Sequence, residues 1–65
     1  MNTVVIIPFN DEMYRIELTR LGEIAKAVRY YDCRMSMGEE VNPKTLHRYI
    51  ITEALATLKK IKRHD

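Results

Sequence analysis

Met13-Tyr-Arg-Ile-Glu-Leu-Thr19, running into Arg20-Leu-Gly-Glu-Ile-Ala-Lys-Ala-Val-Arg-Tyr-Tyr31, is the stretch whose reading decides the fold. With a period of two, Tyr14, Ile16 and Leu18 share one face and Arg15, Glu17 and Thr19 the other, the alternation of a half-buried strand. With a period of 3.6, Met13, Ile16, Leu21, Ile24, Val28 and Tyr31 form the apolar stripe of a helix, widened by Tyr14, Leu18 and Ala25. Both templates fit Met13 to Leu18. From Gly22 onward the residues are good helix formers, so a helix is expected over about residues 20–34. Whether it reaches back to Asp11, or is preceded by a hairpin strand, stays open.

Upstream, Thr3-Val-Val-Ile-Ile-Pro-Phe9 is rich in β-branched residues and reads as a strand buried on both faces or pressed into a dimer, with Val5 and Ile7 at the contact. Pro8 cannot donate to a ladder, so the strand ends there or lies at a sheet edge. Asn10-Asp11-Glu12 fits a hairpin turn or an acidic helix start equally. Downstream, Arg34 to Val41 has no periodicity and holds Gly38, which marks a connector.

Asn42-Pro-Lys-Thr-Leu-His-Arg-Tyr-Ile-Ile-Thr-Glu-Ala-Leu-Ala-Thr-Leu-Lys-Lys-Ile-Lys-Arg63 carries a start signal, an apolar period and a basic end. The Asn42 side chain can accept a backbone N–H, and Pro43 has none to leave unpaired, so a helix is expected to begin at Pro43. Leu46, Ile50, Ala54, Leu58 and Ile61 recur at three- and four-residue steps, and Lys59, Lys60, Lys62 and Arg63 complement the negative end of the helix dipole. Ile51 and Leu55 lie off that stripe and ask for a second apolar surface; with Tyr49, an amphipathic side chain suited to interfaces, they are the expected contacts with a partner chain.

Composition narrows the function classes. A chain of 65 residues makes one domain, and about 60% burial leaves such a core marginal without a disulfide, a metal or a partner. Cys33 is the only cysteine, which excludes a disulfide within the monomer and fits a reducing, cytoplasmic setting. Cys33, His47 and His64 have no metal-ligand spacing, so neither metal nor cofactor is expected. That leaves oligomerisation, and a homodimer is the expected state. The longest apolar run, Val4 to Ile7, falls far short of the roughly 20 residues of a membrane span, and no signal-peptide pattern opens the chain.

Catalysis is poorly provided for. The only glycines are Gly22 and Gly38, and the only serine is Ser36, without a partnered His or acid. The neighbours Asp11/Glu12 and Glu39/Glu40 read as solvated loop acids rather than an acid–base pair. Neither an enzyme nor a small-molecule substrate is expected. The formal charge is +2 overall, but residues 1–41 hold five basic against seven acidic groups and residues 42–65 six against two, which puts the basic surface on the last helix.

A strand, alone or as a hairpin, followed by two helices gives an α+β domain. The order, together with Leu21-Gly-Glu-Ile-Ala-Lys26 and Val41-Asn-Pro-Lys-Thr-Leu-His-Arg-Tyr-Ile-Ile-Thr-Glu-Ala-Leu55, resembles the ribbon-helix-helix family of DNA-binding regulators. The resemblance implies an intertwined homodimer that regulates transcription. It would set Asn42, Lys44 and Thr45 against a DNA phosphate at a helix N-terminus, where unpaired N–H groups collect. It would also turn Arg15 and Thr19 toward base edges if Met13–Thr19 is the paired strand. A second class remains: an interaction protein of the kind phages and mobile elements encode, which binds and inhibits or adapts another protein. The apolar first strand, the tyrosines, Met13, Met35 and Met37, and the acidic first half suit that class.

Overall fold

The computed structural model describes residues 2–30 and 38–62. Tyr31, Cys33, Arg34, Met35, Ser36, Met37, Arg63 and His64, which entered the readings above, lie outside the described residues. Four strands, β1 (Thr3–Phe9), β2 (Glu12–Leu18), β3 (Ile24–Tyr30) and β4 (Gly38–Glu40), precede a 3₁₀ turn at Pro43–Thr45 and one helix, α1 (Arg48–Lys62). The strands form an antiparallel sheet in sequence order.

The α+β class therefore holds, and the expected strand followed by two intertwining helices does not. The segment expected as the first helix, 20–34, holds β3, and the connector expected at Arg34–Val41 holds β4. For Met13–Thr19 the period of two wins. Asn10 and Asp11 make the difference: both have positive φ, 49° and 62°, and they close a two-residue turn between Phe9 and Glu12. Positive φ at both central positions defines the type I′ turn, whose twist matches that of paired strands. Glycine carries no steric penalty there, so Asp11→Gly is expected to raise stability by about 0.5–1 kcal/mol, read as a higher urea midpoint at unchanged slope.

Tyr14, Ile16 and Leu18 face α1 together with Val5 and Ile7 of β1 and Ala27 of β3, and all six are buried. Ile50, Ala54 and Leu58 meet them from the helix. The stripe expected for α1 is present in these three residues, but Ile61 at its end stays 48% exposed.

The expected cap at Asn42 forms with a different consequence. Asn42 Oδ1 accepts from Lys44 N at 3.0 Å, yet the turn it caps ends at Leu46, which is extended (φ −64°, ψ 143°) and buried. The helix starts afresh at Arg48. His47 stands before it: its Nδ1 accepts from Tyr49 N at 3.1 Å, its carbonyl accepts from Ile50 N, and its ring stacks on Phe9 with centroids 4.6 Å apart. An imidazole serving as this acceptor carries its proton on Nε2. Among the described residues no helix is long and apolar enough to cross a membrane.

Candidate functional site: the open face and outer edge of the sheet

Because side chains alternate along a strand, the residues between the buried ones form a second face that α1 does not cover. The strand register arranges it in rows. Val4, Glu17 and Lys26 stand side by side; next come Ile6, Arg15, Val28 and Glu40; the third row holds Pro8, Met13, Tyr30 and Gly38. Val4 is 42% and Ile6 51% exposed, while Met13, Arg15, Glu17, Val28 and Tyr30 are half-buried. Single exposed aliphatic side chains are ordinary, but these two are neighbours on one strand and continuous with an apolar third row.

The charges on this face balance. Arg15 and Lys26 oppose Glu17 and Glu40; Lys26 Nζ lies 3.1 Å from Glu40 Oε1, and Asn2 Nδ2 donates to Glu17 Oε1 at 2.7 Å. Both contacts are solvent-exposed, so each contributes little to stability, but together they hold the long side chains along the sheet.

The rim of the face is the outer edge of β1. In a two-residue hairpin the residues flanking the turn form a hydrogen-bonded pair, and such pairs alternate along the ladder. Thr3, Val5, Ile7 and Phe9 therefore bond to β2, while the N–H and C=O groups of Val4 and Ile6 point outward. Pro8 falls on the outward phase, where its missing N–H costs the β1–β2 ladder nothing. At the opposite edge, β4 has three residues, two of them glutamates. It also runs close to its neighbour: a Cβ on Gly38 would collide with Val28 Cγ1 and come within 2.9 Å of Tyr30 Cε1.

On the helix side, a polar cluster ties three strands together. Arg29 Nη2 donates to Glu39 Oε2 at 2.7 Å, Arg29 Nε lies 3.8 Å from Glu12 Oε2, and the Tyr14 hydroxyl donates to that same Glu12 oxygen at 3.1 Å. The guanidinium thus bridges β2, β3 and β4, which makes the cluster a clamp on the sheet.

The residues expected to contact DNA sit on three separate elements. Arg15 is on the open face. Thr19 closes the β2–β3 turn, where its N donates to Glu23 O at 2.8 Å and its Oγ1 accepts from Glu23 N at 3.1 Å. Asn42, Lys44 and Thr45 make the 3₁₀ turn, in which Thr45 Oγ1 donates to Asn42 O at 2.9 Å.

Compared with known proteins, the chain matches no family model, no curated protein and no solved structure.

Of the residues expected at an interface, Val5 and Ile7 belong to this chain's own core, and Ile51 and Leu55 pack against that core from α1. The second apolar surface that Ile51 and Leu55 asked for is thus supplied within the chain. Tyr49 remains 46% exposed, with its ring stacked on Phe9 at 5.5 Å. Sequence reasoning did not single out Val4 and Ile6, because it read β1 as buried on both faces or pressed into a dimer, with Val5 and Ile7 at the contact. A signal was present: Pro8 shares their phase, and a proline inside a paired strand marks the outward row.

Proposed function

We propose that this protein is a small protein-binding module that presents the open sheet face and the outer edge of β1 to a polypeptide partner. The observation that carries this reading is the exposure of Val4 and Ile6 on an edge with which no other described strand pairs. An extended edge offers main-chain hydrogen bonds to an incoming strand, and the alternate side chains beside it supply selectivity. Duplex DNA asks for something else, a face with a net positive field. Here two basic groups on the open face meet two acidic ones, one pair in contact. The basic residues Lys59, Lys60 and Lys62 lie instead in the last turn of α1.

A paired capture experiment tests the proposal, with wild type and a Val4→Lys/Ile6→Lys double variant immobilised side by side and matched for folding by circular dichroism. A polypeptide, including the chain itself, that wild type retains in stoichiometric amount and the double variant loses is the expected result. Salt-sensitive retention of duplex DNA, equal for both chains and without any such polypeptide, would replace this reading with a nucleic-acid one.

A further inference from the structure

The proposed function leaves the partner unnamed, and the inference here rests on that reading while committing to one occupant. We propose that β1 pairs antiparallel with β1 of a second copy, about a two-fold axis through Val5, so that two four-stranded sheets join into one of eight strands.

The edge itself specifies the register. Val4 and Ile6 carry the outward N–H and C=O groups, and a two-fold axis at Val5 sets Val4 opposite Ile6 of the other copy on both sides. Each of those pairs exchanges two hydrogen bonds, as hydrogen-bonded pairs of an antiparallel ladder do. Pro8 then falls at the rim opposite Asn2 of the other copy, where its carbonyl still accepts and its missing N–H leaves only the outermost bond unmade. The axis stands perpendicular to the sheet, so open face meets open face and both helices stay on the opposite side.

Side chains agree with the backbone. The two exposed aliphatic residues of one edge cover those of the other, turning Val4 and Ile6 into a four-residue apolar ladder. Charge complementarity extends outward from it. Glu17 flanks Val4 and Arg15 flanks Ile6 within each copy, so in each of the two rows that join Val4 to Ile6 the apolar pair has an acid beside it in one copy and a base beside it in the other. Natural edges are ordinarily blunted by charge, bulges or shortness. The β4 edge follows that rule, with three residues and two glutamates, whereas β1 runs seven residues without a charged side chain. A core of this size also gains from a second subunit.

Amide hydrogen exchange on the full chain, measured beside sedimentation at dilute and concentrated protein, tests the pairing. In a monomer, protection along β1 alternates, with Val5 and Ile7 slow and Val4 and Ile6 fast. The expected result is a concentration-dependent dimer in which Val4 and Ile6 slow by about tenfold or more while Val5 and Ile7 change little. Ile6→Lys is expected to restore the alternating pattern and a monomer, and the wild-type exchange profile carries the test if that variant does not fold. Fast exchange at Val4 and Ile6 in a dimer would overturn the proposal in favour of face-to-face or helix contact, and a strict monomer would overturn it as well. Either outcome leaves the protein-binding reading standing for a different polypeptide, because that reading falls only if the capture experiment fails.

Discussion

Ile16→Ala is expected to leave most of the chain unfolded in water. Ile16 has no exposed surface, and it sits on β2 between Val5 of β1 and Ala27 of β3, under the helix. Truncating a fully buried isoleucine costs roughly 2–5 kcal/mol, because lost transfer energy adds to the cavity left behind. A single core below about 70–80 residues seldom supplies more than about 3–5 kcal/mol in total. Loss and reserve are therefore of the same size. Urea unfolding followed by circular dichroism checks this against Val28→Ala, which also shortens an aliphatic side chain next to β2 but on the open face. Val28 is half-buried and faces away from α1, so its loss is expected to cost under about 1 kcal/mol. Equal costs for the two variants would mean that the open face is as well packed as the core.

The contrast between those positions also shows what could be read from the sequence. The alternation of Tyr14, Ile16 and Leu18 is one of two templates that fit Met13 to Leu18, and the structure selects it by burying all three. The stripe Ile50, Ala54, Leu58 states a helix, and it too is buried. The failure came at β3. Leu18 pairs with Ile24 and Glu17 with Lys26, so Ala25 has no partner and forms a bulge. An extra residue resets the phase of the strand, which brings Ile24 and Ala27 to the same side at a spacing of three. That spacing imitates a helix, and the intrinsic preference of Ala25, Lys26 and Ala27 agrees with the imitation. Such preferences amount to about 0.7 kcal/mol per residue or less, and pairing of β3 with β2 along its length and with β4 from Val28 onward overrides them.

The candidate site was hidden for a related reason. An all-apolar run such as Val4–Ile7 reads as two buried faces when only one element is considered. It becomes one buried face and one open face only after β2 and α1 are known to lie on particular sides. The start of α1 was hidden by its chemistry. Asn42-Pro43 is a genuine turn start, but Leu46 leaves the helical path to enter the core, and the acceptor that begins the helix is a histidine nitrogen that sequence patterns seldom flag.

Ala54→Leu is the second large effect expected, and it probes how closely the two layers meet. Ala54 is fully buried at the centre of the helix stripe, between Ile50 and Leu58 one turn away on either side. A small residue there lets the α1 backbone settle onto β1 and β2. Leucine has a slightly lower helix propensity than alanine, too small a difference to matter, so the outcome turns on volume. Three added carbons in a close-packed layer force side chains off their rotamers or lift the helix, typically at about 1–3 kcal/mol. In a domain with this reserve, that is expected to lower the urea midpoint sharply and to weaken near-ultraviolet signals from Tyr14 and Tyr49. Ala56→Leu, two residues along the same helix on its exposed side, is expected to stay within about 0.5 kcal/mol of wild type. If Ala54→Leu were as mild as Ala56→Leu, the helix would have room to shift over the sheet, and the apolar layer between them would be looser than the full burial of Ile16, Leu18 and Ile50 requires.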